Sequence, residues 1–151
     1  MSLLEGQRLY VDANCFIYLS ERHSVFGPPA RRLFKAAHDG FCTLVTSDLT
    51  LAEVLVLPIR LGDEAMQAQY VEAVSPRDAL EVRGVTRAIL IESARLRATT
   101  GSKLPDAIHV ATAISAGCSA VVTEDRGIRA PAGLRLVRVS ELGSLLPPDT
   151  P

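Results

Sequence analysis

The chain has 151 residues, 48% hydrophobic and 22% charged, with a formal net charge of −1 at pH 7. That is the size and balance of one ordinary globular domain, able to bury roughly 70% of its unfolded surface, and it excludes a disordered chain. No apolar run approaches the ~20 residues of a membrane-spanning helix, and the start MSLLEGQR lacks a basic-then-apolar leader, so a soluble, cytoplasmic protein is expected.

Three cysteines, Cys15, Cys42 and Cys118, form no CxxC pair and leave an odd number. Neither a disulfide framework nor a zinc knuckle is supported, and buried free thiols are expected. Fourteen of the sixteen basic residues are arginine, the side chain suited to bidentate phosphate contact, although a solvated surface accounts for this equally well.

In chain order, Leu9-Tyr10-Val11 is a short apolar run closing on Asp12, a first strand, and Ala13 to Ser20 is a short helix entered from the Asp12 turn. The Gly-Pro-Pro content makes Glu21 to Pro29 a loop. Ala30 to Asp39 reads as a helix with Leu33, Ala36 and Ala37 inward, ended by Gly40. Thr43 to Thr46 is a second strand; Ser47 or Asp48 caps the next helix, which Pro58 stops. Asp63 to Ala73 is a further helix and Ala79 to Val82 a third strand. Thr86 to Thr100 forms a long amphipathic helix carrying Ile89, Leu90, Ala94 and Leu96.

The stretch from Lys103 to Gly127, KLPDAIHVATAISAGCSAVVTEDRG, organises the rest. A polar entry holding Asp106 leads into a helix, Ala107 to Ala116, apolar almost all round and therefore buried. Gly117 turns the chain into a strand, Ala120 to Thr123, followed by Glu124 and Asp125. An antiparallel helix–strand pair of this kind brings Asp106 near Asp125. Leu134 to Val139 gives the last strand, and Gly143 to Pro151 reads as a Pro-rich tail after a single domain spanning residues 1–142. Strands alternating with helices make this a three-layer α/β/α domain with a mostly parallel sheet, whose strand C-terminal edge is where chemistry is found.

Four carboxylates are placed at that edge: Asp12, Glu53, Asp106 and Asp125. Glu53 is the only ionisable residue in LTLAEVLVLPI, from Leu49 to Ile59, where a lone carboxylate is expensive to bury without a compensating donor or cation. Singly, each has a structural explanation: a turn residue, an arginine partner or solvent, a first-turn helix charge, a turn signal. Together they aim at one place. Two carboxylates ~4 Å apart repel by about 4 kcal/mol at an effective dielectric of 20, so a converging set needs protons or a divalent cation. All-oxygen ligation suits Mg2+ or Mn2+, and a hard cation with open positions suits phosphodiester chemistry.

VDAN at Val11–Asn14, TLAEVL at Thr50–Leu55, LPDAIHVATA at Leu104–Ala113 and VVTED at Val121–Asp125 resemble the motifs of PIN-domain ribonucleases, and most of all the VapC-type toxins of toxin–antitoxin pairs. The resemblance runs from Leu9 to about Leu142. It implies a PIN-like fold in which Asp12, Glu53, Asp106 and Asp125 hold one or two Mg2+ or Mn2+ ions. A metal-activated water would then cut RNA to leave 5′-phosphate and 3′-hydroxyl ends. It further implies that Asn14 orients the first acid and that Thr123 supplies a hydroxyl beside the fourth. Arg126, and Lys103 at the helix entry, are candidate RNA contacts. A small cognate antitoxin and a homodimer are the implied protein partners, the latter in keeping with wide apolar faces on the helices at 30–39 and 49–57.

Two assignments turn on local pattern. Alternation sends the adjacent Glu124 and Asp125 opposite ways, and the TxD pattern selects Asp125. His109 follows Asp106 by three residues on one helical face; a histidine packed inside the helix is expected in preference to a metal ligand. A haloacid-dehalogenase-type phosphatase would need an acid where Asn14 stands, and a phospho-receiver domain would need a lysine within residues 134–142, where there is none. A housekeeping PIN-like nuclease without antitoxin, or a catalytically silent binding module on the same fold, remain the alternatives.

Overall fold

The computed structural model describes residues 2–148. Five strands, β1 (Arg8–Val11), β2 (Thr43–Ser47), β3 (Leu80–Arg83), β4 (Ala120–Val122) and β5 (Arg135–Val137), form one sheet in the order β3-β2-β1-β4-β5. All four pairings are parallel, with Leu9 opposite Leu44 on one side of β1 and opposite Ala120 on the other. The helices are α1 (Ala13–Ser20), α2 (Gly27–His38), α3 (Asp48–Arg60), α4 (Glu64–Ala73), α5 (Arg87–Thr100), α6 (Leu104–Ser115) and α7 (Leu142–Leu145).

A strand buried on both faces must be apolar, and β4 and the Leu9–Val11 part of β1 are. Leu9, Val11, Leu44, Ala120, Val122 and Val137 face one layer, which receives Phe16 of α1, Leu33 of α2, Val54 of α3 and Tyr70 of α4. Tyr10, Val45 and Val121 face the other, against Val110, Ala113 and Ala116 at the end of α6. α6 is then covered on its far side by α5, through Ile89, Ile108 and Ala111. Lying between sheet and helix explains why α6 is apolar all round. The expected α/β/α architecture with a parallel sheet is present.

α6 ends in a paired-bond cap: Gly117 N–H donates to Ile114 O at 3.1 Å and Cys118 N–H to Ala113 O at 3.0 Å, with Gly117 at φ +71°. Nothing lies within 4 Å of a side chain placed there, so Gly117→Ala is a pure backbone test. The expected result is a loss of ~1–2 kcal/mol in denaturant unfolding, with an unchanged m-value.

Several boundaries differ from the expectation. Pro58 does not stop α3, which continues to Arg60; the ring falls in the last turn, and Pro58 O is taken by Asp63 N–H at 2.9 Å. α2 begins at Gly27, ahead of Ala30, because Pro28 and Pro29 occupy the first turn, where a missing N–H costs nothing. On α5 the buried line is Ile89, Ser93 and Leu96, while Leu90 and Ala94 face out. Ser93 is tolerated there because its hydroxyl donates to Ile89 O at 2.7 Å.

The stretch read as a tail starts inside α7, with Leu142 and Leu146 buried against the core and Arg32 donating to Pro147 O at 2.9 Å. Its last residues, 149–151, lie outside the described ones. The three cysteines are buried and free.

Candidate active site

The order of strand addition reverses between β1 and β4, since β2 and β3 extend to one side of β1 and β4 and β5 to the other. At such a switch point the loops leaving the strand C-termini diverge and open a crevice. Asp12 leaves β1 there, and Thr123-Glu124-Asp125 leaves β4. α3 contributes Glu53 and the first turn of α6 contributes Asp106. These four acids line one recess of about 50 Å³ with Ala13, Asn14, His109 and Ile128. That volume holds an ion and a water or two, not an organic ligand. A hollow of about 500 Å³, lined by Arg32, Lys35, Phe41 and Pro147 among others, lies away from these acids.

Asp12 is buried and held at both oxygens. Oδ1 caps α1 by accepting Cys15 N–H at 3.4 Å, and Oδ2 accepts the Thr123 hydroxyl at 2.5 Å. Thr123 Oγ1 in turn accepts Asp125 N–H at 2.9 Å, so one hydroxyl joins the ends of β1 and β4. Burial raises the Asp12 pKa above the ordinary carboxylate value, against the lowering effect of the Thr123 hydrogen bond. Asp106 is also raised, by burial first and then by the charge of Asp125.

Asp125 is exposed and accepts Gly127 N–H at 2.8 Å. A side chain at Gly127 would come within 3.2 Å of Asp125 Oδ1 and 3.6 Å of Asp106 Oδ2, so a bare glycine keeps space between these two carboxylates. Glu124 turns the other way: it accepts Ser140 N–H at 2.9 Å and lies 3.9 Å from the Arg138 guanidinium. Arg126 and Lys103 are exposed beside Asp125 and at the start of α6.

The partner of Glu53 is one the sequence reading missed. Glu53 Oε1 lies 2.5 Å from His109 Nε2, and His109 Nδ1 lies 2.5 Å from the Tyr10 hydroxyl. His109 is packed inside α6 as expected, and the partner of the half-exposed Glu53 is this histidine, not the arginine that its structural explanation offered. The available signal was Tyr10, a phenol in a buried central strand whose hydroxyl must find a partner.

Among the described residues, no three His, Cys, Asp or Glu side chains already surround one ligating point. The donor chemistry nevertheless fits a hard cation: the recess is lined by carboxylates, and Asp12 is pushed toward the proton-bound form by burial, Asp106 by burial and by the charges of Asp125 and Glu53.

Comparison with curated proteins gave no match. Among solved structures, the fold is similar to VapC20 of Mycobacterium tuberculosis, described as a sarcin–ricin loop cleaving toxin, at 17% identity and TM-score 0.66, covering 80% of this chain and 92% of that one. VapBC2 of Rickettsia felis, bound to a DNA fragment from its promoter, superposes at TM-score 0.66 with 15% identity and coverage of 87% and 98%. A toxin–antitoxin complex from Klebsiella pneumoniae gives TM-score 0.63, 21% identity and coverage of 83% and 94%. The PIN domain family model matches residues 9–134. That span runs from the first strand to the start of the last and holds all four acids, and the chain belongs to the PIN-domain family.

Proposed function

We propose that the protein is a metal-dependent endoribonuclease, the toxin of a VapBC-type pair. The observation that carries this reading is the meeting of Asp12, Glu53, Asp106 and Asp125 in one small recess at the switch point of the sheet. Mg2+ or Mn2+ held by these acids would supply positive charge for the phosphodiester and a water of lowered pKa. Asp12, fixed at both oxygens by Cys15 N–H and Thr123, would be the rigid member of the set. Asn14, the second residue of α1 and on the recess wall, would orient Asp12. Arg126 and Lys103 would meet RNA phosphates at the rim, where arginine forks and lysine charge act without reading sequence.

Two further features support the toxin setting. Neighbours of the same fold are described as toxin–antitoxin complexes. Val56, Leu57 and Ile59 on α3 are 48%, 48% and 58% exposed, an apolar surface fit for an antitoxin or a second copy. The α2 face, by contrast, is covered by the protein's own core. No helix of the described residues is long and apolar enough to cross a membrane, in keeping with action on cytoplasmic RNA.

The direct test is cleavage of structured RNA by purified protein with Mn2+. Wild type is expected to cut and leave 5′-phosphate ends, and EDTA to abolish the reaction. Asp12→Ala and Asp106→Ala are expected to lower the rate by at least ~10³-fold. Cleavage surviving both substitutions would overturn the site; no cleavage of any RNA would favour a binding role.

A further inference from the structure

Two of the four acids are held by local hydrogen bonds, Asp12 by a helix cap and Thr123 and Asp125 by Gly127 N–H, while Asp106 stands in the first turn of α6. Glu53 is different. It is the longest of the four, its side chain is 35% exposed, and nothing on α3 itself is seen to hold it. It meets His109 instead, whose side chain is only 3% exposed.

We propose that His109 is a positioning residue, which together with Tyr10 suspends Glu53 from the central strand of the sheet and decides which carboxylate oxygen faces the recess. The inference rests on the nuclease reading and deepens it. A carboxylate only accepts, so Nε2–H of His109 donates to Glu53 Oε1. In the neutral imidazole Nδ1 is then the acceptor, and the Tyr10 O–H donates to it. Both ring nitrogens are engaged, and neither is left for a cation. The rings are tilted at 59° with centroids 5.6 Å apart, a packed pair that restricts imidazole rotation.

Tyr10 is a rigid anchor because β1 is paired on both edges and the phenol is fully buried. Strand alternation does the rest. Val11 faces the α1–α4 layer and Tyr10 the α6 layer, so β1 places Asp12 at its end and reaches Glu53 through α6. Oxygens around bound cations are commonly oriented by such outer partners, whose loss weakens metal binding about 10–100-fold.

The test reads Mn2+ affinity of the full metal-free chain by calorimetry, without RNA. His109→Leu is expected to weaken Mn2+ about tenfold or more, and His109→Gln, whose amide can still donate to Glu53, to stay within about threefold of wild type. In a Glu53→Gln background, His109→Leu is expected to add nothing further. A purely structural role for His109 would weaken binding in both backgrounds alike, and that result overturns the proposal. So does wild-type affinity in His109→Leu. Tyr10→Phe removes one buried oxygen and little volume, so it carries the same cycle if His109→Leu fails to fold. Wild type that binds no Mn2+ overturns the nuclease reading and this proposal together. Wild type that binds Mn2+ while His109→Leu and Tyr10→Phe bind it equally well overturns only this proposal.

Discussion

Asp12→Asn is expected to make the metal-free protein more stable while removing its cleavage activity. Asp12 is buried at the bottom of the recess, and burial raises its pKa above the ordinary carboxylate value. The sign follows from linkage. Between the ordinary and the raised pKa the folded state holds more protons than the unfolded one, so the contribution of Asp12 to stability falls as pH rises through that window. Wherever the carboxylate is ionised in the folded protein, its burial opposes folding. Asparagine carries no charge, its amide oxygen can keep the cap on Cys15 N–H, and its NH2 can donate to Thr123 Oγ1. The expected gain is about 1 kcal/mol, or ~2–4 °C in Tm, measured by thermal unfolding in EDTA. The difference between variant and wild type is expected to close as pH falls through the raised pKa, where Asp12 becomes neutral in the wild type as well. RNA cleavage by the same variant is expected to drop by at least ~10³-fold. A variant that melts lower at neutral pH would mean that the hydrogen bonds of Asp12, and not its desolvated charge, dominate its effect on the fold.

Phe16→Ala is expected to have the largest effect on stability, a loss of ~3–5 kcal/mol, against the ~5–15 kcal/mol by which such domains are stable at all. The Phe16 ring is buried in the core cluster on the α1–α4 side and meets Phe34 edge-on with centroids 5.2 Å apart. It is also the side chain that seats α1, whose N-cap is Asp12 and whose second residue is Asn14. Chemical denaturation of the variant gives the loss directly. Mn2+ affinity at temperatures well below its midpoint is expected to weaken too, because a loosened α1 no longer fixes the Asp12 carboxylate. A loss below 1 kcal/mol would show that the α1–α2 layer repacks around the hole.

Both expectations use residues whose roles differ in how plainly the sequence shows them. The acids were legible because each is a charge in apolar or turn surroundings, a local anomaly that needs no three-dimensional knowledge to notice. The parallel sheet was legible from the alternation of elements, and α6 from its lack of a polar side. The link between Glu53 and His109 was not, because it joins α3 to α6 and then to β1 across 56 and 99 residues of sequence. Spacing along one helix showed His109 only as a neighbour of Asp106.

The errors at helix ends share one cause. Proline was read as a stop at Pro58 and as a loop marker at Pro28 and Pro29, whereas its effect depends on whether an N–H is needed at that turn. On α5 the buried line passes through Ser93, which apolar spacing did not point to and which a bond to its own helix backbone makes suitable. Near the C-terminus, proline content hid Leu146, which the core takes in.

The central place of β1 also bears on how the protein comes into being. Its second edge is filled by β4, whose residues lie some 110 positions further along the chain. Until that strand has left the ribosome, β1 through β3 form a sheet with an open side, and neither Asp106 nor Asp125 is yet in place. A partly made chain therefore has half of its carboxylates and no enclosed recess. Any hydrolytic capacity arises at the last stage of synthesis, when the distant strand docks, and long-range closure of this kind is the slow step expected of a parallel sheet.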